Sequence, residues 1–174
     1  MEHVRYIDKT REYYSRQGYD KTYHWAANET APFTPLTKPL RESRVALIST
    51  AGFTLVPDGG FDEEELRRVK SGGSNMGSYQ VEVFPIPSGL PEDRILYVVG
   101  NHDRAQSDMS DVNTYFPLTR LREFQAEGVL GSLATDFFRL KENYSQRKTM
   151  EVDAPEVLRR CREDDVDVAL LTPV

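Results

Sequence analysis

The stretch "DAPEVLRRCREDDVDVALLTPV", residues 153 to 174, constrains the fold more than any other. Asp153 stands three residues before Glu156, with Pro155 between them, the pattern that caps and opens a helix. Ala154, Val157, Leu158 and Cys161 then recur at i, i+3, i+4 and i+7, which predicts one apolar helix face. Asp164 and Asp165 pass the chain to Val166–Thr172, an apolar run of strand length that reads as a buried closing strand. A helix followed at once by such a strand is the second half of a crossover unit, so parallel strands must precede it.

Those strands are present from Arg44 onward. "RVALISTAGF" and "RILYVVG" are apolar runs suited to strands covered on both faces, as in a parallel sheet. "YQVEVFPIP" is a third, moved to a sheet edge by Pro85 and Pro87. Asp62 and Glu65 have the spacing of a capping box, so a short helix starts at Asp62. It ends before "SGGSNMGS", residues 71 to 78, which follows a helix and precedes a strand. That is the wrong order for a phosphate loop, and a connection is expected there. Pro117, the stripe Leu118, Leu121 and Phe124, and a left-handed stop at Gly128 give a helix over roughly residues 117 to 127. The expected fold is α/β: a mainly parallel, Rossmann-like sheet with flanking helices, forming a single domain over residues 41–174.

Residues 1–40 differ in kind. They hold five of the nine tyrosines, the only tryptophan and the three prolines of "APFTPLTKPL", with a short helix near residues 4 to 16 and no period beyond it. This is an aromatic-rich N-terminal arm whose rings must be covered, either by the chain's own domain or by a partner. Tyr13, Tyr14, Tyr19, Tyr23 and Trp25 are the partner-contact candidates.

The net charge of −6 disfavours nucleic acid, whose binders carry a basic face. No apolar run approaches the roughly 20 residues of a membrane span, and no signal peptide is evident, so a cytoplasmic protein is expected. Cys161 is the only cysteine, which excludes an internal disulfide, and in the cytoplasm the sequons at Asn28 and Asn143 carry no meaning. Its place on the apolar helix face makes it a core residue rather than a nucleophile.

The densest chemistry lies in "GNHDRAQSDMSDVN", residues 100 to 113, where His102, Asp103, Asp108, Asp111 and Asn113 share one loop after a strand. A histidine with carboxylates suits acid–base or metal chemistry. The spacing matches neither a calcium loop nor an HExxH zinc site, and Asp and Asn also cap helices and close turns. The loop is therefore a structural or interface candidate, with no catalytic residue, metal or cofactor expected. "STAG", residues 49 to 52, offers exposed hydroxyls after a strand but no phosphate or nucleophile motif.

"KPLRESRVALISTAGF", "SDMSDVNTYFPLTRLREFQAEGVLGSLATDFF" and "APEVLRRCREDDVDVALLTPV" together resemble the B-type selenoprotein subunits of the glycine, sarcosine, betaine and D-proline reductases. The resemblance implies enzymes that cleave a carbon–nitrogen bond with a selenocysteine or cysteine nucleophile. It also implies that a stretch like "VDVALLTPV" is followed at once by the redox motif, and then by a second half of similar length. No position here matches that nucleophile. Three functions are expected in order: a non-catalytic subunit that binds and stabilises a larger enzyme; the first part of a reductase subunit cut at a selenocysteine codon; a small enzyme using His102 and Asp103. The expected partner is a larger catalytic chain, with a methyltransferase-like enzyme as a guess that no residue carries.

Overall fold

A computed structural model describes residues 5–19, 29–30, 34–71, 81–99, 108–141 and 145–173. The chain divides into two compact units, Met1–Thr34 and Pro35–Val174. In the first, α1 (Tyr6–Arg16) has no buried residue. It exposes Tyr6, Tyr13 and Tyr14, with Tyr19 just beyond its end. "SGGSNMGS" lies almost wholly outside the described residues.

The second unit is α/β. Its main sheet is built on β1 (Arg44–Ser49), whose residues after Arg44 are all buried. On one side β1 pairs in parallel with β5 (Ser132–Leu133) and then β6 (Asp136–Leu140), two pieces lying along the same edge. β3 (Val83–Pro87) adds an antiparallel edge beyond β6, as its prolines predict. On the other side β1 pairs in parallel with β7 (Val168–Thr172). β2 (Gly52–Leu55) and β4 (Ile95–Val99) form a separate two-stranded antiparallel ribbon. This corrects the expectation that "RILYVVG" lies in the parallel sheet. Leu96, Tyr97 and Val98 are only half-buried, and the ribbon is pinned where Arg94 donates to the Val56 carbonyl at 2.7 Å and pairs with Asp58 at 2.6 Å.

The helices follow local chemistry. α2 (Glu63–Ser71) opens with the expected capping box: Glu65 N–H donates to Asp62 at 2.8 Å, and Asp62 N–H donates to Glu65 at 3.1 Å. α3 (Leu118–Ala126) buries Leu118 and Leu121 and stops at Gly128, whose φ of +75° suits glycine. Gly131 is required by space, because a Cβ there would sit 2.7 Å from the Glu42 backbone.

A one-turn helix, α4 (Gln146–Lys148), runs through a π-turn (Thr149–Asp153) into α5 (Ala154–Glu163). Asp153 therefore does not cap α5, contrary to its spacing. The helical turn before it leaves no open N-terminus to cap, and its carboxylate instead lies 2.7 Å from Lys148 Nζ, five residues earlier, in a buried cluster with Glu82, itself 3.3 Å from Lys148. Burial acts against the Lys148 charge, but its bonds to Asp153 and Glu82 outweigh that and raise its pKa.

Two expectations about the last αβ unit are overturned. α5 buries Val157 and Cys161 but leaves Ala154 and Leu158 exposed. β7 begins at Val168 rather than Val166, and among the described residues nothing pairs with its outer edge: Leu170 is 40% and Leu171 66% exposed. Described residues cover one long side of the strand, where its sequence suits a strand covered on both.

The topology sets the functional end. The ring of Phe137 lies 6.0 Å from that of Phe116, which leads into α3, while Arg160 of α5 lies 6.0 Å from the ring of Phe138. Neighbouring strand residues point to opposite faces, so the α3 crossover and the α5 crossover cover different faces. The first leads from β1 to β6 on one side; the second returns across β1 to β7 on the other. The strand order thus reverses between β1 and β7, the place where open α/β sheets bind their ligands beyond the carboxyl ends. Among the described residues no helix is long and apolar enough to cross a membrane.

Candidate functional site at the carboxyl edge

Three parallel strands end in one row. Ser49 of β1 is in register with Arg139 of β6 and with Thr172 of β7. β1 and β7 close on these polar residues, and β6 carries its own one residue before its end.

The hydroxyls there are already engaged. Ser49 is 1% exposed, so it is not the exposed hydroxyl expected from "STAG". Its Oγ donates to the Tyr115 carbonyl at 2.8 Å and accepts from Ala51 N–H at 3.1 Å, closing the turn after β1. Thr172 Oγ1 lies 3.2 Å from the Ile48 carbonyl and 3.3 Å from the same Tyr115 carbonyl. One carbonyl thus ties the ends of β1 and β7 together.

Aromatic rings wall this edge. The Tyr115 ring lies 5.1 Å from Tyr97 and 5.9 Å from Phe53. Burial pushes the Tyr115 hydroxyl up to about 12, with Tyr97 and the acids Asp111 and Glu92 adding to the shift. The Arg139 guanidinium stands 4.5 Å over the ring of Phe84 and 5.8 Å from that of Phe53, within cation–π range of both. The arrangement can position and shield a group at the strand ends, but it brings no thiol there. Cys161 is buried on α5, and desolvation, with help from Asp164, raises its pKa, so little thiolate forms near neutrality.

The loop candidates divide. His102 and Asp103 lie outside the described residues. Asp108 accepts from Ser110 N–H at 2.9 Å and Asp111 from Asn113 N–H at 2.9 Å, and these backbone bonds hold both carboxyls below their ordinary range. Asn113 donates to Glu92 at 2.7 Å and accepts from Arg120 N–H at 3.4 Å, in the first turns of α3. All three residues are thus bonded to local turns and to the start of α3. Among the described residues no group of three or more His, Cys, Asp or Glu could hold a metal ion.

Of the arm candidates, Tyr13, Tyr14 and Tyr19 form a chain of edge-on contacts at 5.5 and 5.7 Å. They are 60%, 50% and 65% exposed. Tyr23 and Trp25 lie outside the described residues. Sequence reading missed Tyr115, Arg139 and Thr172 because register is a tertiary property. The available signal was the polar residue near the end of "RVALIS", "DFFRL" and "VALLT".

Comparison with known proteins finds relatives among reductase subunits. The D-proline reductase subunit gamma of Acetoanaerobium sticklandii is 27% identical over 141 residues, covering 80% of this chain and 52% of that protein. The glycine reductase complex component B subunit gamma of Symbiobacterium thermophilum is 24% identical over 154 residues, covering 88% of this chain and 34% of that protein. The chain therefore spans about half the length of the first relative and a third of the second. No solved structure matches it. The family profile for glycine/sarcosine/betaine reductase selenoprotein B matches residues 5–174, nearly every position, and the chain belongs to that family.

Proposed function

We propose that the chain is a non-catalytic subunit of a larger enzyme complex, a reductase B-type fold used as a binding scaffold. The observation that carries this reading is the place of its only thiol. Cys161 is buried beneath α5 with a raised pKa, away from the carboxyl edge where the topology would seat a reacting group. The hydroxyls at that edge hold backbone carbonyls, and Asp108, Asp111 and Asn113 hold turns. The matched relatives are named as subunits of reductases, which supports work within a protein complex. The exposed tyrosines of the arm supply a surface for a larger catalytic chain, since Tyr gives large contact area at low entropic cost.

The test is reconstitution. The protein is purified from its native host, the copurifying enzyme is identified, and turnover of that enzyme is measured with and without added subunit. Addition should raise turnover or stability of the enzyme, and Cys161→Ser should leave that effect within about two-fold. A loss of more than about a hundred-fold on Cys161→Ser, with folding unchanged, would make the thiol a nucleophile and end this reading.

A second reading is favoured by one observation, the length of the relatives: the chain is the first part of a longer reductase subunit read through a selenocysteine codon. Mass spectrometry of the native protein separates the two. A mass of 19.9 kDa supports the scaffold, and a mass well above it supports the longer subunit.

A further inference from the structure

Between Gln146 and Glu163 the buried residues are Lys148, Asp153, Val157 and Cys161, at spacings of five, four and four. Residues four apart share one face of an α-helix, whereas residues five apart lie about 140° around it. The π-turn makes up the difference. There the Ala154 N–H donates to the Thr149 carbonyl, five residues back, so the turn stores one extra residue and brings Lys148 over Asp153. A regular α-helix would give that buried place to Thr149, four residues before Asp153. With the π-turn formed, Thr149 is exposed.

We propose that this joint is a one-residue register switch with two seats for the same chain. In the first, Lys148 lies 2.7 Å and 3.0 Å from the two Asp153 oxygens and 3.3 Å from Glu82, with the π-turn formed. In the second, the turn is drawn out into regular helix, Lys148 leaves for solvent, and the Thr149 hydroxyl takes its place before Asp153. Three features make the second seat reachable. Val157 and Cys161 stay buried, because α5 does not move. Glu82 keeps Lys141 at 3.4 Å, so one cation remains with the two carboxylates. Thr149 donates its hydroxyl to the Ser145 carbonyl at 3.3 Å, an exposed local bond weaker than one to a carboxylate. Between the seats α4 turns by about 100° and shifts by about 1.5 Å. The switch lies at the carboxyl edge. Val83 is in register with Leu140, and the Glu82 N–H, one residue earlier, donates to Asp153 at 3.3 Å. The joint therefore moves α4 against the strand end that carries Arg139 and leaves the sheet in place.

The test uses the full-length protein and two kinds of variant. Deletion of Met150, which is 73% exposed, sets Lys148 four residues before Asp153 and should convert the joint to regular helix with Lys148 still seated. The urea unfolding midpoint should stay unchanged or rise, although a one-residue deletion ordinarily throws a helix face out by about 100°. Deletion of Arg159, exposed on α5, shows that ordinary effect and should lower the midpoint by at least about 1 M, because Cys161 leaves the buried face. Lys148→Met removes the cation from the first seat. Its backbone NMR shifts should report regular helix through residues 149–153 and remain those of the native chain over residues 157–163.

Three results overturn the proposal. A midpoint that falls as far on deletion of Met150 as on deletion of Arg159 would make the extra residue a packing necessity. A Lys148→Met protein that keeps the π-turn would leave Thr149 without a seat. Shifts that spread over residues 157–163 would show that α5 moves with the joint. None of these bears on whether Cys161 is catalytic, so the switch and the scaffold reading fail independently.

Discussion

Tyr115 acts through both ends of one residue. Its carbonyl receives Ser49 and is shared by Thr172, and its ring sits between Tyr97 and Phe53. The side chain is 1% exposed, and its ionisation is pushed up to about 12. The sign of the pH effect follows. Above about pH 10 the unfolded chain ionises at this position while the folded chain resists, so stability is intact below pH 10 and falls as the pH rises towards 12. The loss should be on the order of 2 kcal/mol. Denaturant unfolding at pH 9 and pH 11.5 should show a drop larger by that amount in the native protein than in Tyr115→Phe, which keeps the carbonyl and the ring. Equal drops in the two proteins would place the ring in water.

At the scale of elements, the buried Lys148 cluster joins α4, the π-turn and the residue before β3. Lys148→Ala should cost about 3 to 5 kcal/mol, because two carboxylates lose their buried cation. Lys148→Met combined with Asp153→Leu should cost clearly less, which urea unfolding at neutral pH would measure. The same cluster explains one boundary of sequence reading. Asp62 and Asp153 both stand three residues before a glutamate. Asp62 caps its helix, since its partners are its own neighbours. Asp153 does not, since the chain before it is already helical and its carboxylate turns back to Lys148 and accepts from the distant Glu82 N–H. β3 was legible at an edge because proline lacks a donor whatever surrounds it. β4 and β7 were misjudged because an apolar run records how much burial a strand suits and says nothing of what supplies it.

For the whole molecule, the division at residue 34 leads to a separation of roles. Removal of residues 1–34 should weaken association with the partner enzyme proposed above at least about 10-fold, as measured by calorimetry, because it takes away the exposed tyrosines. Unchanged association would remove the arm from that contact. The α/β class and most helices were legible because caps, stripes and turns are local. The carboxyl-edge row was not, since its members come from residues 49, 115, 139 and 172 and meet only through register.

That same tie between β1 and β7 governs how the chain reaches its native state. Arg44 bonds Asp167 across 123 residues, and Thr172 bonds Ile48 across 124. Closing such a loop costs about 3 kcal/mol more than closing a four-residue hairpin. The central strand, apolar along nearly all its length, must wait with one edge open until distant chain arrives. High contact order of this kind puts folding in the slow range and lengthens the time during which that edge can pair with a wrong neighbour.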